Sequence, residues 1–437
     1  MVITVERTKN PKQKPSSDNL VFGTVFSDHM FICDFSPEKG WHDARIVQYQ
    51  SLSIDPSIMA IHYGQSIFEG LKAYRTKDGH INLFRPIENI RRLNESCKRV
   101  CIPVIDEEFG LTAIKKLVDI DRDWIPDGEG TSLYIRPFVF ATEPHIGVRP
   151  SRTYSFVIIT GPVGAYYKEG INPVKIYVES NYVRSVRGSL GEVKASANYV
   201  ASLKAQVEAN EKGYTQVLWL DALERKYIEE VGTMNVFFVI GDEIVTPELT
   251  GSILPGITRK SCKELLRSWG YNMNERRISI EEVYEAHEKG ILKEVFGTGT
   301  AAVISPVGEL NWNGRIITIN DGKTGPISQR LYDTLTGIQY GKIPDQFGWI
   351  ERVEPAGRID ILPVLYIEFS KRWFLAFASF MLRPERLKNI KSFQGVYFIR
   401  KPEFAIILNL TYNETVNIKQ YYKKGRLVWQ EKVQTEI

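Results

Sequence analysis

Cysteine and histidine are scarce in this chain: four of the first (Cys33, Cys97, Cys101, Cys262) and six of the second in 437 residues. No two cysteines form a C-x-x-C pair and no histidine cluster joins them, so the ligands a zinc site needs are missing and no metal is expected. Cys97 and Cys101, spaced i,i+4 on one expected helix, read as reduced thiols. Long apolar runs are also lacking. The aromatic-rich stretch 361–382 is interrupted by Glu368, Lys371 and Arg372, well short of a membrane span. The start, Met1-Val-Ile-Thr-Val-Glu-Arg-Thr-Lys9, has no apolar core for a secretory signal, and a cytoplasmic location is expected by default. Nor is there a large charge of either sign. A net charge of +4 with 25% charged residues, scattered along the chain, disfavours nucleic acid and membrane surfaces as partners. No G-x-G-x-x-G follows a strand, which removes the usual dinucleotide fingerprint.

What is present exceeds a single core in length. Residues 1–20 are polar and rich in Lys, Pro and Ser, and read as a flexible arm. Residues 21–169 alternate short strands with helices, an α+β pattern. Pro86 is expected to open a helix with Ile90, Leu93 and Val100 on one side, and a second amphipathic helix is expected over 110–120. Residues 170–180, with Pro173, form an interdomain connection. In 181–352 a helix over 198–212 stops at Gly213. Strands at 216–220, 236–240 and 244–246 follow, the last two paired across Gly241-Asp242. Ser279-x-x-Glu282 reads as a capping box. Short strands with tight turns fit a β-rich, barrel-like domain carrying helices. Residues 353–437 differ from the rest; 395–433 alternate like a small antiparallel sheet, with no role assigned.

The chemistry concentrates around Lys194. Ala195, Ser196 and Ala197 follow it; Gly188, Ser189 and Gly191 precede it. A solvated lysine needs no such small company, whereas an amine that must touch a flat ring does. Further along, Glu229 and Glu230 put acid into an otherwise apolar strand pattern. Neighbours on a strand face opposite ways, so one of the two serves, and the spacing to Val231-Gly-Thr favours Glu230. Ile257 and Thr258 open a helix after Pro255-Gly256, where unpaired amides favour an anion. Thr300, in Phe296-Gly-Thr-Gly-Thr-Ala301, adds a hydroxyl, and Arg92 a charge-assisted bond. Each of these last three features alone is weak, since such turns and helix faces are common; jointly they suggest a lysine, a carboxylate and a phosphate cradle serving pyridoxal 5'-phosphate. Tyr63, Phe68, Tyr134, Arg136 and Tyr166 are candidates for the pocket, although core packing explains an aromatic residue as well or better.

The chain resembles the branched-chain amino acid aminotransferases, among the class IV (fold type IV) pyridoxal phosphate enzymes. The resemblance lies in Phe68-Glu-Gly-Leu-Lys-Ala-Tyr74, Leu83-Phe-Arg-Pro86, Tyr134-Ile-Arg-Pro137, Gly161-Pro-Val-Gly-Ala-Tyr166 and Lys194-x-x-x-Asn-Tyr199. It continues through Gln216-Val-Leu-Trp-Leu-Asp221, Glu230-Val-Gly-Thr-Met-Asn235, Ile253-Leu-Pro-Gly-Ile-Thr-Arg259 and Phe296-Gly-Thr-Gly-Thr-Ala301. These run in order across residues 20–351. The resemblance implies a two-domain α+β fold and reversible amino transfer between leucine, isoleucine or valine and 2-oxoglutarate, by a ping-pong route. It implies that Lys194 is the Schiff-base lysine and Glu230 the partner of the pyridine nitrogen. Tyr199 bonds the phenolic oxygen, and Arg92, Ile257, Thr258 and Thr300 hold the phosphate. Phe68, Tyr134, Tyr166, Thr233 and Ala301 shape an apolar pocket, and Arg136 receives the distal carboxylate of glutamate. It also implies a homodimer, with Tyr63 and the loop 146–148 lending walls to the neighbouring pocket. The chain departs from some animal members in having Ala302 and Ser305 where they carry a redox cysteine pair. Other class IV activities, a D-amino acid aminotransferase or an aminodeoxychorismate lyase, are opposed by the Tyr134-x-Arg136 pairing. A non-catalytic scaffold is opposed by the intact Lys194 and Glu230.

Overall fold

The computed structural model describes residues 1–17, 20–128, 130–164 and 171–355, and the backbone of four strands between 394 and 434. The chain divides into residues 1–356 and 357–437. Within the first unit lie two mixed sheets of nine strands each, flanked by helices, an α+β architecture.

The first sheet runs in the order Thr4–Val5, Gly40–Gln48, His29–Ser36, Tyr154–Val163, Ser132–Ala141, Leu71–Arg75, Ile81–Phe84, Ile350–Arg352, with Ser66–Phe68 beside Ser132–Ala141. Two helices cover one face. Pro86–Arg99 starts on a proline that has no N–H to lose there, and buries Ile90, Leu93 and Cys97 at helical spacing. Val100 falls just past its last turn, so Cys97 takes the place expected of it; burial pushes that thiol up to about 12, which leaves it protonated and inert. Glu107–Ile120 starts before Gly110, because Asp106 caps it by accepting from the Phe109 amide.

The polar N-terminal segment lies against this sheet. Thr4–Val5 pairs in parallel with Arg45 and Ile46, and Lys116 Nζ donates to Ile3 O. The Thr8 amide donates to His29 Nε2 at 2.9 Å. That bond makes Nε2 an acceptor, so Nδ1 carries the proton it shares with Asp121 Oδ1 at 2.6 Å.

The second sheet runs Ile228–Val231, Gln216–Leu220, Val174–Glu179, Val303–Trp312, Leu292–Gly299, Asn235–Ile240, Glu243–Thr246, Asn272–Glu275, with Arg315–Thr318 beside Val303–Trp312. The hairpin across Gly241-Asp242 forms as expected, Val239 opposite Ile244, and Ser279 Oγ caps Ile280–Glu288 by accepting from the Glu282 amide. The helix expected over 198–212 is two pieces, Ala197–Ala201 and Leu203–Glu211. Ser202 marks the joint; its hydroxyl bonds back to Tyr199 O, a local alternative that weakens the helical ladder.

The sheets meet where the site lies. Ile67 bridges Ala195, the Phe68 amide donates to Lys194 O, and the Ser196 amide to Ser66 O. A shared core of Tyr74, Phe84, Phe237, Leu265, Leu335 and Trp349 backs the junction. Among the described residues the second unit shows antiparallel strand pairs, Gln394–Lys401 with Phe404–Thr411 and Thr415–Tyr421 with Leu427–Gln434.

Candidate active site

A cavity of 960 Å³ opens at the junction of the sheets. Seven expected residues line it: Phe68, Tyr134, Arg136, Lys194, Tyr199, Thr233 and Ala301. Thr300 lines it too, and also faces an adjoining cavity of 20 Å³ bounded by Lys72, Asn89, Ile257 and Thr258. Three expected residues, Glu230, Arg92 and Tyr63, line neither cavity; the exposed Tyr63 donates its hydroxyl to Ile146 O at 2.6 Å. Tyr166 lies outside the described residues.

Lys194 sits in a turn pinned from both sides. Its amide donates to Ser96 Oγ at 2.9 Å, and its amine donates to Tyr199 Oη at 2.8 Å while lying 4.9 Å from the Phe68 ring centroid. No carboxylate reaches ion-pair distance of that amine among the described residues. The small residues around it also have a packing role, and Ser196 lines the cavity as well. Ala195 packs on Ile67, and Ser196 Oγ bonds Ser66 Oγ at 2.8 Å; they let the two lobes touch. Gly191 is forced, because a Cβ there would lie 2.1 Å from Ser252 O.

Arg136 faces the same space. Its Nη2 donates to Tyr134 Oη at 3.0 Å, and its guanidinium lies 4.5 Å from the Phe68 centroid. Nε is buried without a hydrogen-bond partner, and no acid pairs with the group among the described residues. Tyr134 reaches this position because Gly70 has no side chain; a Cβ at Gly70 would fall 2.1 Å from Tyr134 Oη.

Glu230 is buried on the strand Ile228–Val231. Oε1 accepts from Asn235 Nδ2 at 3.2 Å. Oε2 lies 2.7 Å from Arg184 Nε, yet the N–H is not aligned on it, so this oxygen has an ion-pair partner and no hydrogen bond. Burial pushes the carboxyl up to about 7, Arg184 offsetting only part of the effect. Glu229 is engaged by the Ser252 hydroxyl.

Around the small cavity, the helix Ile257–Ser268 begins at Gly256 with no side-chain cap, so its first amides remain available. Arg92 is held by Glu69, Nε to Oε1 at 2.7 Å and Nη2 to Oε2 at 3.0 Å, and Nη1 donates to Pro255 O at 3.1 Å. Burial acts to raise the Glu69 carboxyl, and Arg92, with Lys194 and Asn89, more than offsets it, leaving the acid below its ordinary value. Lys72 Nζ donates to Ala301 O at 2.8 Å; burial lowers this amine to about 8.

The sequence reading missed Glu69, Lys72, Arg184, Asn235, Gln216 and Phe22. Phe22 lines the cavity edge-on to Tyr134, centroids 4.8 Å apart. Gln216 lines it with a buried Oε1 that has no partner. Glu69 and Lys72 lie inside a quoted motif and could have been picked out there; Arg184 and Phe22, in irregular chain, carry no local signal.

An amine on a phenol, a recessed carboxylate and open helix amides fit a flat phosphorylated ring bearing a carbonyl, and an unpaired guanidinium fits a substrate carboxylate. Comparison with known proteins points the same way. Residues 66–310 match the family model for amino-transferase class IV. The branched-chain-amino-acid aminotransferase 2 of Bacillus subtilis is 60% identical over 351 residues, 80% of this chain and 97% of that protein. The branched-chain amino acid aminotransferase structure from Escherichia coli superposes with a TM-score of 0.63 at 27% identity, over 75% of this chain and 99% of that one. A T.th. branched-chain amino acid aminotransferase complexed with N-(5'-phosphopyridoxyl)-L-glutamate gives 0.61 at 28% identity, over 74% and 98%.

Proposed function

Because this chain belongs to the class IV aminotransferases, and among them to the branched-chain-amino-acid aminotransferases, we propose that the cavity between its sheets is where its reaction takes place and that Lys194 is the catalytic residue. The enzyme transfers an amino group reversibly between L-leucine, L-isoleucine or L-valine and 2-oxoglutarate, ping-pong, with pyridoxal 5'-phosphate. When bound, that cofactor supplies an aldehyde carbon and a ring that withdraws electrons from the substrate Cα. The protein does the rest. Lys194 would move the proton at the substrate Cα, and Tyr199, which accepts from its amine at 2.8 Å, keeps it oriented and would serve the phenolic oxygen. Glu230 holds the ring nitrogen. The Ile257 and Thr258 amides, the Thr300 hydroxyl and Arg92 hold the phosphate. Phe68, Tyr134, Thr233 and Ala301 exclude water from a branched side chain, and Tyr166 belongs to the same pocket by motif alone. Arg136 takes the distal carboxylate of glutamate, and its stacking on Phe68 is how one pocket serves an acidic and an apolar partner.

A homodimer in the cytoplasm accompanies this reading. Ile61 (56% exposed), Tyr63 (46%), Ile146 (58%) and Val148 (80%) put apolar surface at the cavity rim, which a second copy covers. The observation that carries the reading is the Lys194 amine beside Tyr199, facing an unpaired Arg136 in one cavity. With the cofactor bound, leucine and glutamate each discharge the same single equivalent of visible colour. Bleaching by one of them alone contradicts a shared site.

A further inference from the structure

We propose that Arg184 is a positioning residue: it keeps Glu230 ionised for the cofactor's ring nitrogen, and ties that acid to the lysine turn and to the loop leading into the phosphate-binding helix. This role rests on the assignment of Glu230 above and deepens it. The contacts belong to one side chain, itself 8% exposed. Nε lies 2.7 Å from Glu230 Oε2. Nη1 donates to Ser252 O at 3.0 Å, and Nη1 and Nη2 approach Gly191 O at 3.5 and 3.4 Å. Ser252 leads into Ile253-Leu-Pro-Gly256, and Gly191 into Lys194. A planar guanidinium can serve an acid on one edge and two carbonyls on the other, which a lysine ammonium cannot do as a rigid fork.

The packing shows that this arrangement is close. A Cβ on Gly191 would lie 2.3 Å from Ser185 Oγ as well as 2.1 Å from Ser252 O, so the two carbonyls the arginine holds are brought together at a residue without a side chain. Glu230 also needs the cation. Its neighbour Glu229 is a second buried carboxyl that opposes its ionisation. Asn235 is a neutral donor, while Lys194 and Arg259 act on it from outside contact distance. Among the described residues Arg184 is the one cation at ion-pair distance. Without it, burial drives a proton onto the carboxyl, and a protonated carboxyl no longer stabilises a positively charged ring nitrogen. Arg184 is not among the lining residues of either cavity, so its replacement leaves the walls of the site in place.

The test is the ¹⁵N resonance of ring-labelled pyridoxal phosphate bound to the wild type, Arg184→Met, Arg184→Lys and Glu230→Gln, all at one mildly alkaline pH. The wild type reads as pyridinium. Arg184→Met and Glu230→Gln move toward the neutral pyridine position, and Arg184→Lys moves part of the way back to the wild type. A merely structural role leaves this resonance unmoved. Arg184→Met reading as pyridinium, with Glu230→Gln shifted, overturns the role of Arg184 and spares that of Glu230. A resonance unmoved in Glu230→Gln removes the assignment of Glu230 and this proposal with it, whatever Arg184→Met does. Should the methionine variant fail to fold, Arg184→Gln, which keeps a polar side chain and drops the charge, decides by the same resonance.

Discussion

Arg136 and Arg92 show how differently two half-buried guanidinium groups can be used. Arg136 has a hydroxyl and an aromatic face but no acid among the described residues, so its charge is available to a ligand. Arg136→Ala is expected to lower kcat/KM for glutamate by at least tenfold more than for leucine; equal losses would remove its role in dual recognition. Arg92 pairs with Glu69, whose side chain is fully buried, and has only its remaining Nη1 and Nη2 N–H groups to offer the phosphate. Arg92→Ala strands that carboxylate, and the cofactor-free protein should lose about 3–5 kcal/mol in denaturant titration. A loss of cofactor affinity with unchanged stability would contradict the pairing. The Glu230 carboxyl, raised from 4.5 to about 7, binds a proton more readily folded than unfolded. It therefore makes cofactor-free stability fall as pH rises from about 4.5 to about 7, and Glu230→Gln flattens that slope. Urea midpoints across this range measure it. Lys194 and Glu230 stood out in the sequence because acid and amine interrupt small or apolar runs. Arg184 and Phe22 did not, because nothing local to a loop reveals which distant acid or ring it meets.

Helices and hairpins with strong local signals formed where their residues put them. Pro86 opens its helix, Ser279 caps another, and Gly241-Asp242 turns a hairpin. What local signals could not convey was contact between elements. The small residues around Lys194 read as room for a ring, and what the sequence did not convey is that Ala195 and Ser196 also let the turn pack on Ser66–Phe68. The loop 143–152 is a second case. Glu143 holds Arg149 through both carboxylate oxygens, 2.9 and 2.7 Å, and accepts from the Arg152 amide at 2.8 Å. The bonds from Arg149 lead in holding its carboxyl down to about 2. This loop presents Ile146 to Tyr63. The clamp is complete above about pH 4.5 and is lost as pH falls through 2, the direction for a depressed acid. Glu143→Gln should speed amide exchange at 145–149 by about tenfold at neutral pH; unchanged exchange would mean the loop is held by other contacts.

At the scale of the whole molecule, the strand Ile350–Arg352 closes the first sheet against Ile81–Phe84, the Val353 amide donates to Ile81 O at 3.0 Å, and Val353 is buried. A cut at 353 therefore removes part of the catalytic unit. Removing residues 357–437 respects the boundary, and this truncation should retain kcat within about twofold; an inactive but folded product would give the second unit a part in the reaction. The central claim concerns which amine the cofactor engages. Two lysines compete at the junction, Lys194 in the large cavity and Lys72, its amine lowered to about 8 and bonded to Ala301 O. Borohydride reduction of the loaded enzyme, followed by peptide mass mapping, separates them. The cofactor mass should be fixed on the peptide containing Lys194; its appearance on Lys72, or on no lysine, would contradict the account.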